Sequence, residues 1–471
     1  MNLYNTLTKK VEELVLLKPG QASIYTCGPT VYNHVHIGNL ASFIYADTLR
    51  RVLNQTGTQV THVMNFTDVD DKTIKASAEH YSEDDPITAL NKLTSLYEQV
   101  FLEDMAKVGN DLSAYKFIKA TDYIEEMKSM ISELIKAGFA YIAEDGIYFS
   151  IKAYQQKGKV YGQLSNITSS NTSEARINND EYDKESAHDF ALWKRRRDNE
   201  PSWEFLIDGE NMTGRPGWHI ECSTMSKCLF GQPFDIHTGG VDLIFPHHEN
   251  EIAQSTALSK SNKLANTFFH SEHLLVDNQK MSKSLGNFLT INDITNRGYD
   301  PLAFRLLILQ SHYSSQAHFS WENLEAAENR LYDLRAMAVL KWQAENVTYD
   351  AGTFAIEDVS SQLIELLKDN LRTPDVLALL SNVSTQLQTV LLETDMLSHF
   401  NILLDVIDKL LGLNLSHEAD ITKEQKSLIS ARDKARRASK WHEADEIRAK
   451  LEEQKIGLKD TNNRTIWFRL K

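Results

Sequence analysis

The apolar positions in the first part of the chain predict a strand, a helix and a second strand. A strand-like stretch ends at residues 23–25, and a turn follows at residues 27–30, where glycine and proline stand together. Apolar residues then recur at helical spacing from Leu40 to Leu53 and stop before Gly57, and residues 60–65 form the next predicted strand. The order strand, helix, strand is typical of a parallel α/β unit.

Residues 112–213 have a different pattern, which we interpret as an insertion between two halves of the α/β domain. A predicted helix at residues 123–137 is followed by alternating residues around 148–151 and by a stretch rich in Ser, Thr and Asn at 165–173. We expect a mobile loop within residues 166–183. Strand-like sequence returns at residues 234–240.

From Trp321 onward the chain is predicted to be helical. Leu324, Leu331 and Leu334 recur at helical spacing, and helical spacing returns within residues 363–392. Residues 414–420 are typical of a linker, a charged helix is predicted over residues 424–455, and the last segment, around residues 457–468, is expected to form a hairpin.

The composition is that of an ordinary globular protein. Of 471 residues, 42% are hydrophobic and 24% charged, which excludes a mainly disordered or collagenous chain. No apolar run approaches the roughly 20 residues that span a bilayer, so we expect no membrane helix, and the N-terminus lacks the pattern of a secretory signal. Three cysteines do not make a disulfide framework, so we expect a reducing cytoplasm.

Charge is distributed unevenly along the chain. The net charge is -15, yet residues 421–471 hold 14 Lys and Arg against 8 Asp and Glu, a net of +6, which leaves -21 for the other 420 residues. A basic segment on an acidic body indicates either a nucleic-acid contact or a solvated helix face. Charge alone leaves both interpretations open.

Two short segments have the residue types that bind phosphate. His36-Ile37-Gly38-Asn39 stands at the start of the predicted helix, where free backbone N–H groups and a partial positive charge suit an anion. Lys280-Met281-Ser282-Lys283-Ser284 places two lysines in a segment ended by glycine, which can bring positive charge onto a pyrophosphate. Together they resemble the HIGH and KMSKS signatures of class I aminoacyl-tRNA synthetases. Asn39 departs from the first signature, because asparagine can donate a hydrogen bond but cannot become cationic.

A third set of residues has the chemistry of a zinc site. Cys27, Cys222, His247 and Glu251 offer two thiolates, an imidazole and a carboxylate, and the last two are four residues apart, so they share a helix face. We expect His248, about 100° further around, to point elsewhere. The alternative is that Cys222 and Cys228 are buried small apolar residues.

The chain as a whole resembles cysteinyl-tRNA synthetases. The matching segments include Gly217-Trp218-His219-Ile220-Glu221-Cys222 and residues 26–32, 65–72, 189–194, 235–251, 443–448 and 457–460. The resemblance implies that Cys27, Cys222, His247 and Glu251 hold one zinc ion per chain. It also implies a cysteine pocket and a set of ATP-binding residues, of which His36, Asn39, Lys280 and Lys283 are catalytic. The pocket residues are Cys27, Thr67, Trp218, His237 and Asp242, and the ATP-binding residues are His36, Gly38, Asn39, Lys280 and Lys283.

The resemblance further implies an α/β fold with a Rossmann-like parallel-sheet catalytic domain. We expect its first half at residues 1–111, a connective insertion at 112–213 and its second half, with the lysine loop, at 214–310. An α-helical bundle at 311–413 and a small basic C-terminal domain at 414–471 are expected to bind tRNA(Cys), the latter at its anticodon. ATP with Mg²⁺ and L-cysteine are the other expected partners of a cytoplasmic monomer.

Two alternative functions stay open at this point. One is a mycothiol-pathway ligase, which passes cysteine to an amino sugar and needs no tRNA-binding tail. The other is a non-catalytic synthetase-like regulator, in which the signature residues should have decayed. Asp68, Asp70 and Asp71 indicate either a magnesium site or the turn and cap that follow a strand, and we favour the turn and cap.

Overall fold

The computed structural model describes residues 1–165, 172–177, 187–281, 286–344, 356–389, 392, 394–461 and 464–471. This part of the chain divides into two compact units. The first consists of Met1–Leu275, Gln279–Ile291 and Tyr313–Ala317, and the second of Val276–Asn278, Asn292–His312 and His318–Lys471. Much of the expected loop at 166–183 lies outside the described residues, as does Lys283. The division into five domains stays a prediction.

The strands and helices up to residue 280 are β1 (Asn2–Asn5), β2 (Lys10–Glu13), β3 (Gln21–Thr26), α1 (Ile37–Gln55), β4 (Gln59–Phe66), α2 (Asp71–His80), α3 (Pro86–Lys107), β5 (Tyr115–Lys119), α4 (Ile124–Lys136), β6 (Ala140–Ala143), β7 (Gly146–Phe149), α5 (Ile151–Gln156), β8 (Thr172–Ile177), β9 (Ala187–Arg195), β10 (Leu206–Ile207), β11 (Glu210–Asn211), β12 (Gly214–Pro216), α6 (Trp218–Phe230), β13 (Phe234–Gly240), α7 (Glu249–Ala257), β14 (Ala265–Ser271), β15 (Leu274–Val276) and β16 (Gln279–Lys280). The elements that follow are α8 (Ile291–Asn296), α9 (Pro301–Leu309), β17 (Ala317–Phe319), α10 (Trp321–Ala338), α11 (Ile356–Lys368), α12 (Thr373–Thr389), α13 (Leu397–Leu411), α14 (Lys423–Arg437), α15 (Trp441–Glu453), β18 (Ile456–Asp460) and β19 (Thr465–Arg469).

A five-stranded sheet forms the centre of the first unit. Its strands run in the order β14-β13-β3-β4-β5, and each neighbouring pair is parallel. The predicted sequence of strand, helix and strand is confirmed by β3, α1 and β4, and the strand predicted at residues 234–240 is β13. Leu40, Leu49 and Leu53 of α1 are buried, as their helical spacing indicated. The predicted α/β class is therefore confirmed.

A second sheet has the order β12-β9-β7-β6, with β8 paired to β9, and all of these strands except β12 lie within residues 112–213. The predicted helix at residues 123–137 is α4. The residues around 148–151 do not form a half-exposed strand, because all four residues of β7 are buried. An alternating pattern was therefore a poor guide to burial here.

The second unit is mainly helical, and two of its predicted helices are interrupted. The charged helix expected at 424–455 is two helices, α14 and α15, separated by a turn in which Ser439 has a positive φ of 56°. The helical stretch expected within 363–392 breaks between α11 and α12, where Asn370 and Leu371 have φ values of 58° and 52°. The predicted terminal hairpin is confirmed by the antiparallel pairing of β18 with β19.

Among the described residues, no helix has both the length and the apolar character needed to cross a bilayer.

Candidate active site and metal cluster

The candidate site lies at the carboxyl ends of the central strands. β3 and β13 are parallel neighbours, with Thr26 opposite Thr238, so the residues that follow them meet at one edge of the sheet. Cys27 comes directly after β3, and its N–H donates to Thr238 O at 3.4 Å. Gly28 allows the chain to cross close to β4, because a Cβ there would lie 1.7 Å from Asn65 O.

The four predicted zinc ligands come together at this edge. Ligand atoms of Cys27, Cys222, His247 and Glu251 all lie within 4.8 Å of one another, and all four residues are buried. The two sulfur atoms are 3.7 Å apart, and Cys27 Sγ is 3.6 Å from Glu251 Oε1. His247 Nε2 is 3.2 Å from the same carboxylate oxygen. Both cysteines are free thiols, whereas Cys228 is exposed and lies outside the cluster.

The expectation that His248 points away from this cluster is wrong. His248 Nε2 lies 3.5 Å from Cys27 Sγ and 3.8 Å from Glu251 Oε1. His247 and His248 precede Glu251 by four and three residues, and both spacings place a side chain beside position 251 of a helix. The separation of three residues between His248 and Glu251 indicates this contact. The prediction considered only the angle of about 100° between His248 and His247 around the helix.

Hydrogen bonds between rings orient the two histidines. His247 Nδ1 lies 2.9 Å from His219 Nδ1, and His248 Nδ1 lies 2.7 Å from His270 Nε2. When each ring donates from Nδ1, its Nε2 keeps a lone pair that faces the cluster, which is the form that binds metals. His219 and His270 are not among the predicted site residues, since they act through the rings they contact.

Burial decides the charge of these groups. It lowers the pKa of His247 to about 3 and that of His248 well below its ordinary value, so both rings are neutral at physiological pH. Burial raises the pKa of the Cys27 thiol well above its usual value, and nearby Cys222 adds to the effect. Burial alone would also raise the pKa of Glu251, but the facing rings of His237 and His247 lower it overall.

The residues expected in a cysteine pocket occupy different places around the cluster. His237 is buried and hydrogen-bonded at 2.9 Å to Glu251 Oε2, and the ring of half-buried Trp218 lies 4.2 Å from that of His247. Thr67 is buried and pairs with Thr30 in an isolated bridge. Asp242 is exposed, and its charge partly offsets the lowering of the His36 pKa by burial.

The start of α1 contains the predicted phosphate-binding residues. His36 is the N-cap, and its Nδ1 accepts the backbone N–H of Asn39 at 3.1 Å. The N–H of Ile37 donates to Leu289 O at 2.9 Å. Two of the first backbone N–H groups of the helix are thus bonded within the protein. Burial lowers the pKa of His36, although Asp242 opposes this, so His36 is a neutral ring that donates from Nε2.

Glycine at position 38 permits a close approach between the two signature segments. A Cβ there would lie 2.6 Å from the terminal methyl carbon of Met281 and 2.9 Å from His36 Nδ1. Lys280 is the last residue of β16, and Met281 follows it. The structure therefore brings Met281 of the lysine segment to the start of α1, while residues 282–285, Lys283 among them, lie outside the described residues.

The three aspartates after β4 form a turn, a cap and an ion pair. Asp68 accepts hydrogen bonds from the Thr121 N–H and hydroxyl. Asp70 forms a capping box with Thr73 at the start of α2. Asp71 pairs with Arg215, and with Lys194 at 2.9 Å. These partners agree with the turn and capping roles favoured from the sequence.

Comparisons with known proteins find one family over most of the chain. Residues 13–329 match the family described as the tRNA synthetases class I (C) catalytic domain. A cysteine–tRNA ligase of Leptospira interrogans serogroup Icterohaemorrhagiae serovar Lai (strain 56601) is 38% identical over 480 residues, which cover 99% of each chain. A cysteine–tRNA ligase of Solibacter usitatus (strain Ellin6076) is 37% identical over 488 residues, which cover 100% of this chain and 99% of its own.

Solved structures agree at the level of the fold. Mycobacterium tuberculosis methionyl-tRNA synthetase in complex with methionyl-adenylate superposes with a TM-score of 0.60 at 12% identity, over 84% of this chain and 93% of that chain. At this identity the similarity shows a shared fold and nothing about the substrate.

Proposed function

Because this chain belongs to the cysteine–tRNA ligases of the class I tRNA synthetases, we propose that it activates L-cysteine with ATP and Mg²⁺ and transfers it to tRNA(Cys). The observation that carries the proposal is the buried cluster of Cys27, Cys222, His247 and Glu251. Cys27 of this cluster directly follows β3, and the turn after β3 leads into the phosphate-binding start of α1. This turn thus contributes to both a thiol-binding site and a nucleotide-binding site.

In the proposed first step, a carboxylate oxygen of cysteine attacks the α-phosphorus of ATP. The bond from that phosphorus to the bridging oxygen breaks, and cysteinyl-adenylate and pyrophosphate form. This chemistry depends on positioning and on stabilisation of charge. Neutral His36 donates from Nε2 to a phosphate oxygen, since its Nδ1 already accepts from Asn39. The Asn39 amide donates beside it, and Lys280 and Lys283 supply positive charge to the departing pyrophosphate.

In the second step, a hydroxyl of the terminal tRNA ribose attacks the carbonyl carbon of the adenylate. The bond between that carbon and the phosphate oxygen breaks, AMP leaves, and the hydroxyl proton passes to solvent or to the departing phosphate. The second unit and its basic C-terminal segment are proposed to hold the tRNA. Charge is the support for this role, since residues 421–471 carry a net of +6.

The donor set fits a zinc ion. A tetrahedral site with Zn–S bonds of about 2.3 Å and Zn–N bonds of about 2.0 Å requires separations of roughly 3.8 Å between sulfurs and 3.3 Å between nitrogen and oxygen. The observed values of 3.7 Å for Cys27–Cys222 and 3.2 Å for His247–Glu251 agree with these. His247 Nε2 is also buried without a hydrogen-bond partner among the described residues.

We propose that Cys27, Cys222, His247 and Glu251 hold this zinc. A bound zinc would take the thiolate of cysteine as a ligand and lower its thiol pKa, whereas the hydroxyl of serine is a poor ligand. Trp218 packs on His247 and limits the space beside the ligands. The cytoplasm as the compartment stays a prediction. A monomeric state stays a prediction.

The lysine segment provides the test of this function. Lys283→Ala should lower the maximal rate of cysteine-dependent ATP–pyrophosphate exchange at least tenfold, with a much smaller change in the KM for cysteine. A contact made mainly in the transition state behaves in this way. Lys260→Ala, at an exposed site, is the control and should exchange at the normal rate. Unchanged exchange by the Lys283 variant would refute the role of this lysine, and no exchange by the wild-type protein would refute the function.

A further inference from the structure

A second set of donors overlaps the proposed zinc site. Cys27 and Glu251 also lie with His237 and His248 in a group whose ligand atoms are all within 4.8 Å of one another. All four residues are buried. Cys27 and Glu251 therefore belong to both sets. Cys222 and His247 complete the first set, and His237 and His248 complete the second.

The distances in the second set are close to those of a tetrahedral site. The 3.5 Å between Cys27 Sγ and His248 Nε2 matches the roughly 3.5 Å expected between sulfur and nitrogen on one zinc ion. The 3.6 Å between Cys27 Sγ and Glu251 Oε1, which belongs to both sets, also agrees with a sulfur and an oxygen bound to one zinc ion. His248 Nε2 lies 3.8 Å from Glu251 Oε1, and His237 Nε2 lies 2.9 Å from the other oxygen, Oε2, where one ion would hold a nitrogen and an oxygen about 3.3 Å apart.

The protonation of His248 is suited to metal binding. His248 Nδ1 is 2.7 Å from His270 Nε2, and His270 Nδ1 is 2.8 Å from Thr6 Oγ1. Because the threonine hydroxyl can accept, both rings can donate from Nδ1 along this line. His248 Nε2 then keeps a lone pair directed at Cys27.

The ring of His237 is oriented by contacts at both nitrogens. Its Nδ1 lies 3.2 Å from the backbone oxygen of Tyr25, and a carbonyl can only accept, so Nδ1 is the donor. Its Nε2 lies 2.9 Å from Glu251 Oε2, so this nitrogen is directed at the carboxylate that both sets share.

We infer that His237 and His248 form a second position for the metal ion, which shares Cys27 and Glu251 with the first. One zinc ion then has two overlapping sets of four donors, and the loss of a donor from one set is compensated by the other. This inference rests on the proposed zinc site. It also gives His237, expected only in the cysteine pocket, a role as a metal ligand.

The test is the zinc affinity of single and double variants of the full-length protein, measured by competition with a chromophoric chelator. His248→Gln alone should lower affinity less than tenfold, because the first set remains complete. Cys222→Ala should weaken binding yet retain one zinc per chain when zinc is in excess. The double variant should lose at least tenfold more affinity than the product of the single effects, since neither set is complete. His62→Gln, which changes a buried histidine outside both sets, should show no such coupling with Cys222→Ala.

A second pair of variants protects the test against misfolding. His247→Gln can replace Cys222→Ala and should show the same coupling with His248→Gln. The absorption of bound Co²⁺ should remain tetrahedral in each single variant and be lost in the double variants. Independent effects in both pairs would overturn the second position while leaving the first intact. A wild-type protein that binds neither zinc nor Co²⁺ would instead refute the zinc site of the proposed function.

Discussion

At the scale of single residues, the chemistry of α1 depends on the way His36 is held. Its Nδ1 accepts the backbone N–H of Asn39, so the ring position is fixed by the main chain and does not require the Asn39 side chain. Phe288 contacts the ring edge-on at a centroid distance of 5.5 Å and restricts its rotation. The histidine that usually occupies position 39 of this signature is therefore not needed to orient His36.

The substitution Asn39→His tests this conclusion. It should leave the rate of cysteine-dependent pyrophosphate exchange within about tenfold of wild type, or about 1.4 kcal/mol in the activation barrier, because both side chains can donate a hydrogen bond to phosphate. Asn39→Ala, which removes the donor, is the comparison. Its rate of pyrophosphate exchange should be lower than that of wild type and that of Asn39→His. If Asn39→His abolishes exchange, the site has adapted to asparagine and the side chain does more than donate.

Asp68 is a buried carboxyl whose charge is costly to the folded protein. Burial raises its pKa from 3.8 to about 6, although hydrogen bonds from Thr121 lower it. The folded protein therefore binds the proton more tightly than the unfolded chain does. The resulting stabilisation is complete below the ordinary pKa and is lost as the pH rises through about 6.

The substitution Asp68→Asn should remove this pH dependence. The amide is neutral and can still accept from the Thr121 N–H, so the variant should gain stability relative to wild type as the pH rises from 4 to 7. The maximum gain corresponds to about 3 kcal/mol. Thermal unfolding of both proteins across this range measures the difference. A difference that does not change with pH would mean that Asp68 has an ordinary pKa in the folded state.

At the scale of elements, local pattern predicted the strands and helices that have a single dominant period. The spacing of Leu40, Leu49 and Leu53 identified α1, and a buried run between breakers identified β13. The turns inside the two long predicted helices were missed, because Asn370 and Ser439 adopt positive φ without glycine to signal it. Helical spacing continues across both turns, so periodicity alone does not show the break.

The site was predictable where spacing fixes geometry and not where tertiary contacts do. His247 and Glu251 were placed on one face by their separation of four residues, and the structure has them 3.2 Å apart. The proximity of Cys27 to Cys222, 195 residues away, came only from the family resemblance. The ring-to-ring contacts of His270 and His219 had no sequence signal, because they depend on how β14 and α6 pack in the folded unit.

The cap of α2 provides a prediction at this scale. The Asp70 side chain accepts the Thr73 N–H at 2.7 Å, and Asp70→Ala should destabilise the protein by about 1 kcal/mol. Asp85→Ala, which removes the corresponding cap of α3, is the matched control. Thermal unfolding gives the stability, and pyrophosphate exchange at several Mg²⁺ concentrations gives the metal requirement. An altered Mg²⁺ requirement in the Asp70 variant alone would show a metal-binding role in place of the cap.

At the scale of the whole molecule, the basic C-terminal segment is integrated into the second unit. Trp467 is buried in a cluster with Val339, Leu451 and Ile456. Its backbone N–H donates to Gln343 Oε1 at 3.0 Å. Truncation of this segment would expose the cluster, so a loss of tRNA binding would not be distinguished from a loss of packing. Trp441, in contrast, is 60% exposed and remains available to stack on a base.

Charge reversal on the surface of α14 separates these effects. Lys434 and Arg437 are exposed and three residues apart, so they share a face. Lys434→Glu with Arg437→Glu should raise the KM for tRNA at least tenfold and reduce its dependence on salt, while pyrophosphate exchange is unchanged. Lys10→Glu with Lys18→Glu makes the same change of charge at exposed sites in the first unit and is the control. Equal effects of the two pairs would indicate that only net charge matters.

The central claim is that this chain selects cysteine and attaches it to tRNA(Cys). The most direct measurement is the attachment of radiolabelled cysteine or serine to purified tRNA(Cys) by the wild-type protein and by Glu251→Ala, which removes an oxygen donor shared by both metal positions. We predict that the wild type charges tRNA(Cys) with cysteine and not detectably with serine, and that Glu251→Ala loses zinc and most of the cysteine charging. Failure of the wild type to charge tRNA(Cys), or full activity and selectivity in a zinc-free variant, would contradict the account.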